Sequence, residues 1–347
     1  MRVPEQGQYT GQSIKRVEDP RLLRGAGLYV ADVHLPGEVH LAVLRSPFAH
    51  ARIVRIDVGA ARACPGVLAA FSFEDLRADP FGQGGSRPSE GEQADVAKLP
   101  MLVPHKQLRP RMPYPLAAGK VRYAGEAVAV VAAQSRYLAE DALDAIEVEY
   151  QALPVLNDGE AALEDGAALV HDDMEDNLCA AVTQTVGDPD QAFAEADVTI
   201  ERTFRFGRVS GQPMETRGVV ARWERGKLGD TVTMWDATQS PHTARRVLAG
   251  MFGLPQHAIL VVAPDVGGGF GIKNRFYAEE FLVPYVARLL GRPVRWIEDR
   301  LEDLLTTYQA REQIHHLEVA AKRDGTILAV RNRFTADVGA YSPFGLV

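Results

Sequence analysis

The sequence predicts an α+β fold, because strand-like and helix-like segments alternate along its 347 residues. Three segments support this prediction most directly. Residues 127–133 form an unbroken apolar run typical of a buried strand, residues 135–146 repeat apolar side chains at helical spacing, and residues 258–263 form another buried strand before a glycine-rich turn. Both kinds of element recur in each half of the chain. We therefore expect two units, residues 10–157 and residues 177–347, and a separate core in the first unit.

The first unit is predicted to be a mixed module of strands and a helix. Residues 39–44 and 51–58 carry β-branched side chains and are predicted strands. Ser135 stands where a helix N-cap is expected, and the helix after it repeats apolar residues every four positions. Residues 146–150 return to the alternation of a strand.

The second unit continues the same alternation. Strands are predicted at 198–206, 218–224 and 231–236, helices at 242–252 and 276–290, and a hairpin at 317–322 and 327–334 around Asp324 and Gly325. The first of these helices follows Ser240 and Pro241, and Gly253 and Pro255 are expected to end it.

The most informative segment is residues 265–273, D-V-G-G-G-F-G-I-K, in which four glycines surround Phe270. Glycine has no Cβ, so such a loop can adopt positive φ and present backbone N–H groups to an anion or an oxo group. A dinucleotide fingerprint fits less well, since it would need a third glycine at Lys273 or Asn274. A Walker A loop is excluded because the Gly-Lys-Ser/Thr ending is missing. A packing turn and a cofactor cradle of another kind both remain open.

Composition excludes several classes of function. The net charge of −8 and the lack of a basic stripe argue against a nucleic-acid-binding protein. No apolar run is long enough for a membrane span, and residues 1–16 lack the apolar core of a signal peptide, so we expect a cytoplasmic chain. Cys64 and Cys179 are the two cysteines, and their spacing excludes an iron–sulfur or zinc site built by this chain alone.

Motifs in a fixed order resemble a known family. Residues 212–215 (Q-P-M-E), 238–242 (T-Q-S-P-H) and 267–271 (G-G-G-F-G) resemble the molybdopterin-binding large subunits of the xanthine dehydrogenase and aldehyde oxidase family. Within that family, large subunits of the aerobic carbon monoxide dehydrogenase type look most similar. The first unit adds matching strings at 19–25, 45–51 and 121–129. The resemblance runs from about Thr10 to the last residue.

The resemblance implies both a fold and a cofactor. It implies an α/β hammerhead domain over 10–157, followed by the first part of a molybdopterin-binding α+β domain over 177–347. The cofactor would be Mo-molybdopterin or its cytosine dinucleotide form. By the family's motif, the residues expected to contact it are Gln239, Gly268, Gly269, Phe270 and Gly271. Gln239 would contact an oxo ligand of molybdenum, and no direct metal ligand is assigned in this chain.

Roles for the neighbouring residues follow from the same resemblance. Asn274 stands where purine-oxidising relatives carry a substrate-binding glutamate, so it is assigned to the substrate pocket and argues against xanthine. Glu215 is expected to orient the glycine loop, and Lys273 is expected to be a structural or phosphate-facing charge. No catalytic residue is assigned here, since the family's base is expected beyond Val347.

The resemblance also implies an activity and partners. The activity would be oxidation of an aldehyde, an N-heterocycle or a similar small molecule, with water as the oxygen source. Electrons would pass to a 2Fe-2S small subunit and an FAD-binding medium subunit. Family large subunits are longer than this chain, so a complementary C-terminal chain is expected to complete the site, and this chain alone should not turn over substrate. The alternative is a truncated, non-catalytic remnant or assembly partner that keeps the fold without cofactor.

Overall fold

The structure is a computed structural model that describes residues 10–79, 96–102, 106–227 and 229–342. In chain order, its strands are β1 (Val39–Arg45), β2 (Ala51–Asp57), β3 (Val67–Ser72), β4 (Lys120–Val121), β5 (Ala127–Ala133), β6 (Glu147–Ala152), β7 (Val198–Phe206), β8 (Gly218–Gly226), β9 (Gly229–Asp236), β10 (Ile259–Val262), β11 (Val294–Ile297), β12 (Gln313–Ala321) and β13 (Ile327–Ala336). Its helices are α1 (Asp19–Leu22), α2 (Gly59–Ala63), α3 (Phe73–Ala78), α4 (Arg136–Leu143), α5 (Pro189–Ala194), α6 (Pro241–Phe252), α7 (Ala278–Leu290) and α8 (Arg300–Thr306). The α+β class is confirmed.

Local signals in the sequence predicted the bounds of most helices and strands to within a few residues. Strand β5 has the predicted bounds and is buried along its whole length. Ser135 is the N-cap of α4, where its side chain accepts a hydrogen bond from the Leu138 N–H at 3.3 Å. Helix α6 ends at Gly253, whose φ of 63° is the left-handed conformation that favours glycine. Helix α7 begins two residues later than predicted, because Tyr277 is its extended N-cap.

One seven-stranded sheet crosses both predicted units, in the order β10-β9-β8-β11-β1-β5-β3. Strands β1 and β11 join its two parts by parallel pairing, with Val39 opposite Val294. The largest hydrophobic cluster likewise contains residues of both units, such as Val130 and Phe281. The first unit also has a hydrophobic cluster of its own, which includes Ala61, Val131 and Ile146, as expected. Its core is not fully separate, however, because the edge of β1 is covered by β11 of the second unit. The limits of the two units remain predictions.

Two smaller sheets complete the described part of the chain. Sheet β4-β2-β6 belongs to the first unit, and sheet β13-β12-β7 belongs to the second. Helix α5 packs against β13 and β12. Among the helices in the described ranges, none is long and apolar enough to span a bilayer.

A buried ion-pair network ties the two parts of the large sheet together. The Glu279 carboxylate, at the start of α7, forms an ion pair with Arg45 of β1 at 2.7 Å. It also accepts a hydrogen bond from Arg217, just before β8, at 2.9 Å. Arg217 also pairs with Glu298, and Tyr277 lies 3.8 Å below its guanidinium. Burial alone would raise the pKa of Glu279, but the two guanidinium groups hold that pKa at about 2.

We expect Glu279→Gln to lower the free energy of unfolding by about 3 kcal/mol, because two buried guanidinium groups lose their shared anion. Urea unfolding followed by tryptophan fluorescence measures this change. The matched control is Glu318→Gln, which removes an exposed partner of Arg331 at 3.7 Å and should change stability by less than about 1 kcal/mol. Equal effects of the two substitutions would contradict a structural role for the network.

Candidate cofactor-binding site

Three segments meet around Lys273, which lies at the end of the glycine loop. The Lys273 ammonium donates to Glu215 Oε2 at 2.8 Å, and the N–H of Gly267 donates to the same oxygen at 2.7 Å. In return, the N–H of Glu215 donates to the Gly267 carbonyl at 3.1 Å. The Lys273 carbonyl accepts from the N–H of Gln239 at 2.9 Å and from the Thr238 hydroxyl at 3.2 Å. One residue thus connects the segments 213–215, 238–240 and 265–274.

The Lys273 side chain is completely buried. A buried ammonium must be paired, because burying an isolated charge is very unfavourable. Glu215 provides that pair, and its carboxylate also fixes the backbone at the start of the glycine loop. These contacts agree with the structural roles expected for Glu215 and Lys273.

The loop depends on glycine for two different reasons. Gly268 and Gly271 have φ of 101° and 87°, a conformation in which side chains are strained. At Gly267 an added Cβ would lie 2.5 Å from the Cβ of Glu215 and close to its backbone. At Gly269 an added Cβ would lie within 2.6 Å of Gln239 Cγ, so the glutamine side chain packs directly on this glycine. Only the first two positions match the expectation of positive φ, since Gly267 and Gly269 are needed for space.

Gln239 faces the loop and has one donor free. Its Oε1 accepts from the N–H of Gly271 at 3.0 Å, which fixes the orientation of the amide and leaves Nε2 as the donor. Within the described residues, Nε2 has no hydrogen-bond partner, and neither do the backbone N–H groups of Gly268, Gly269 and Phe270. Such a set of donors suits an anionic or oxo ligand. The structure therefore brings all five predicted cofactor-binding residues together, while their contact with cofactor stays a prediction.

Phe270 and Asn274 flank this set of donors. Phe270 has φ of 50°, and the residue is 72% exposed. The Asn274 Oδ1 accepts from the Ser240 hydroxyl, and its N–H donates to the Gly271 carbonyl at 3.3 Å. Asn274 thus lies between the glycine loop and the Gln239 segment, as its assignment to the site requires. Its role toward a substrate stays a prediction.

An anchor that sequence reasoning missed holds the start of the loop. Arg21 donates to Asp265 Oδ1 at 2.7 Å, and the N–H of Leu28 donates to Asp265 Oδ2 at 2.8 Å. The hydrogen bond from Arg21, aided by the one from Leu28, lowers the pKa of Asp265 to about 2. The string at 19–25 was part of the family resemblance, but nothing in it identifies a partner more than 240 residues away.

A pair of buried carboxyl groups lies behind the loop and was also missed. Asp236 ends β9 and Glu280 lies in the first turn of α7, and both line a cavity of about 10 Å³ with Lys273. Asp236 Oδ2 and Glu280 Oε1 are buried and have no partner among the described residues. Burial raises the pKa of Asp236 to about 7 and raises the pKa of Glu280 well above its usual value. The two groups are too close to ionise together, so the pair retains a proton near neutral pH.

A larger cavity of about 270 Å³ lies at the seam between the two parts of the large sheet. Five tyrosines contribute to its wall: Tyr114, Tyr123, Tyr277, Tyr308 and Tyr341. The Tyr277 hydroxyl donates to the Ile272 carbonyl at 2.8 Å, which connects this wall to the glycine loop.

Comparison with known protein families gives two matches. Residues 170–347 match the model of the molybdopterin cofactor-binding domain. Residues 24–154 match the model of the a/b hammerhead domain of aldehyde oxidase and xanthine dehydrogenase. Together they confirm the family resemblance drawn from the motifs.

Individual relatives agree with these matches. The chain is 38% identical to the carbon monoxide dehydrogenase large chain of Afipia carboxidovorans, over 97% of this chain and 40% of that protein. It is 36% identical to the nicotine 6-hydroxylase large subunit of Paenarthrobacter nicotinovorans, over 95% of this chain and 38% of that protein. Quinoline 2-oxidoreductase from Pseudomonas putida 86 superposes with a TM-score of 0.83 at 42% identity, over 93% of this chain and 39% of that one. The chain thus spans about two fifths of the length of these relatives.

We expect Gly267→Ala to destabilise the protein by about 1–3 kcal/mol, because the new Cβ meets Glu215 close to its backbone and neither segment can move away easily. Gly269→Ala should change stability by less than about 1 kcal/mol, since the Gln239 side chain can rotate away, but it should break the bond from the Gly271 N–H. Urea unfolding and amide exchange at Gly271 measure the two effects. Gly250→Ala is the control, because that helical glycine has open space around it. An unchanged Gly271 exchange rate in Gly269→Ala would contradict the packing described here.

Asp236→Asn should remove part of the pH dependence of stability. The pKa of Asp236 is raised on folding, so the folded chain holds a proton that the unfolded chain releases above about pH 4. Stability linked to this group is therefore present at low pH and is lost as the pH rises toward 7. The variant should be more stable than the wild type at pH 7, by about 1 kcal/mol or more, with the difference shrinking toward pH 4. Urea unfolding at several pH values tests this, with the exposed Asp190→Asn as control. A difference independent of pH would show that Asp236 is not protonated in the folded chain.

Proposed function

Because the chain belongs to the family of molybdopterin-binding large subunits of the aldehyde oxidase and xanthine dehydrogenase type, we propose that it forms the N-terminal part of a molybdenum hydroxylase large subunit. The proposed reaction is oxidation of an aldehyde, an N-heterocycle or a similar small molecule, with water as the oxygen source. The observation that carries the proposal is the group of free donors on Gln239 and the glycine loop, held in place by the buried pair of Lys273 and Glu215.

The residues present fit the proposed cofactor. The amide of Gln239 and the backbone N–H groups of Gly268, Gly269 and Phe270 would hold oxygen ligands of molybdenum or nearby atoms of the pterin. Molybdopterin, in its simple or cytosine dinucleotide form, would supply the redox chemistry when bound. Phe270 would pack beside the metal with its exposed ring.

The chain's own contribution is to position these donors before substrate arrives. Donors held in fixed orientation stabilise developing charge without reorganising during the reaction. Here the orientation of Gln239 is fixed twice, by its own N–H on the Lys273 carbonyl and by its Oε1 on the Gly271 N–H. Lys273 and Glu215 would support the loop rather than contact the ligand, since the Lys273 ammonium donates to Glu215 and is fully buried.

The proposed substrate is a small molecule that does not need to carry a negative charge. Asn274 would offer a neutral amide to the substrate, and its Oδ1 already accepts from Ser240. The names of two relatives, nicotine 6-hydroxylase and quinoline 2-oxidoreductase, favour an N-heterocycle over an aldehyde.

The proposed assembly has further chains in the cytoplasm. In this proposal a complementary C-terminal polypeptide supplies the part of the large subunit that the relatives have beyond the matched region. A 2Fe-2S small subunit and an FAD-binding medium subunit would accept the electrons. The alternative is that the chain is a non-catalytic remnant that keeps the fold without cofactor. Measuring the molybdenum content tests both possibilities.

Metal analysis separates the two possibilities. We expect the chain purified alone to contain less than one molybdenum atom per molecule and to show no dye-linked oxidation of quinoline or benzaldehyde. Together with the complementary large-subunit polypeptide and the two partner subunits, it should contain stoichiometric molybdenum and turn over. An assembled complex without molybdenum would favour the remnant, and turnover by the isolated chain would disprove the need for a complementary chain.

Gln239→Ala should lower kcat in the assembled complex by about 10- to 100-fold, because a donor positioned at the reacting centre is lost. The urea midpoint should change little, since the side chain is exposed and only one neutral hydrogen bond disappears. Gln256→Ala removes an exposed amide of the same kind outside the site and should leave kcat unchanged. If Gln239→Ala lowers stability while the folded fraction keeps full turnover, Gln239 serves only to pack the loop.

A further inference from the structure

The cavity at the seam between the two parts of the large sheet, which we call the seam cavity, is built by both units of the chain. Leu99 and Pro113 of the first unit and Leu305 and Val338 of the second contribute apolar surface to its wall. Its volume of about 270 Å³ is larger than the about 150 Å³ of a protein cavity that holds benzene. The seam cavity therefore has room for a small ring compound.

Aromatic rings form two groups in this wall. The ring centroids of Tyr277 and Tyr308 lie 5.0 Å apart, and Tyr123 meets Tyr341 edge-on at 6.3 Å. Tyrosine rings provide rigid apolar surfaces against which another aromatic ring packs favourably, by stacking or edge-on. The composition of the wall thus favours a planar ligand.

The charged groups of the wall are already paired. Glu279 is flanked by Arg45 and Arg217, and Asp337 pairs with Arg208 at 2.8 Å. An ionic ligand at the centre of this wall would compete with the buried pairs of Glu279, and breaking a buried ion pair is strongly unfavourable. These pairs favour an uncharged ligand.

Glu126 does not alter this balance. It is 4% exposed, and both of its carboxylate oxygens are occupied. Oε1 accepts from the Tyr341 hydroxyl and Oε2 accepts from the Arg122 N–H, each at 2.6 Å. A cationic ligand would have to replace these two short hydrogen bonds, so Glu126 also favours an uncharged one.

Two of the tyrosine hydroxyls are available as donors. Those of Tyr277 and Tyr341 already donate to other groups of the chain. The hydroxyls of Tyr123 and Tyr308 have no hydrogen-bond partner within the described residues. Burial raises the pKa of both phenols, and Tyr308 adds to the rise in the pKa of Tyr123, so the two groups lie near each other and stay protonated at neutral pH.

We propose that the seam cavity binds a small, planar, uncharged ring compound whose carbonyl oxygen accepts hydrogen bonds from Tyr123 and Tyr308. A carbonyl oxygen has two lone pairs and can therefore serve both donors. Cyclic amides of the pyridone type combine the flat ring with such an oxygen. This site is distinct from the proposed cofactor site, because neither Gln239 nor residues 268–271 line the seam cavity.

Calorimetric titration of the full chain with 2-pyridone tests the proposal. The wild type should bind one molecule per chain in a saturable manner. Tyr123→Phe and Tyr308→Phe keep the rings and remove one donor each, so each variant should bind about 3- to 10-fold more weakly. The double variant should lose more than 10-fold in affinity.

A phenol elsewhere on the chain provides the matched control. Tyr137 is 77% exposed and does not line the seam cavity, so Tyr137→Phe should bind 2-pyridone like the wild type. Urea unfolding establishes that the variants are folded, as we expect because the Tyr123 and Tyr308 hydroxyls make no bond that the substitutions would break. Absence of saturable binding by the wild type, wild-type affinity of the double variant, or an equal loss in Tyr137→Phe would overturn the proposal.

Two further measurements locate the ligand and separate this site from the proposed function. Gln239→Ala should bind 2-pyridone as tightly as the wild type, and a loss of binding there would place the ligand at the glycine loop and overturn the proposal. Binding that depends on Tyr123 and Tyr308, in a chain whose assembled complex holds no molybdenum, upholds the seam site and contradicts the proposed function. An active, molybdenum-loaded complex whose chain does not bind 2-pyridone does the reverse.

Discussion

The burial of the Lys273 ammonium is the constraint on which the rest of the site depends. A fully buried cation requires an anion, and Glu215 supplies it while also receiving the N–H of Gly267. The Lys273 carbonyl then positions Gln239, and the carbonyl of the preceding residue, Ile272, accepts from Tyr277. Tyr277 lies under the guanidinium of Arg217, which pairs with Glu279. A continuous set of contacts therefore runs from the glycine loop into the buried ion-pair network.

That network is also where the two parts of the chain become one body. Glu279 receives Arg45 from β1, and β1 pairs with β11 in the same sheet. The first unit is thus part of the support for the proposed site, since its strand and its arginine both meet elements of the second unit. Substitutions in the seam should affect the glycine loop without touching it, because rigid packed elements transmit small displacements.

The glycine loop is both accessible and ordered. Its backbone is fixed by a buried charge pair, because Glu215 pairs with Lys273 and accepts from the Gly267 N–H. Gln239 is exposed beside the loop, yet its amide is oriented by the N–H of Gly271.

The sequence by itself determined the local elements and the nature of the loop. The apolar run of β5, the Ser135 cap, Gly253 and the glycines around Phe270 each express a preference that acts over a few residues, and each was identified from sequence. Only the tertiary structure decided which distant segments meet. The parallel pairing of β1 with β11, the contact of Arg21 with Asp265 and the burial of Asp236 beside Glu280 join residues far apart in sequence. No local pattern encodes such a pairing, because burial and charge neutralisation depend on the register of the whole sheet rather than on the neighbours of either residue.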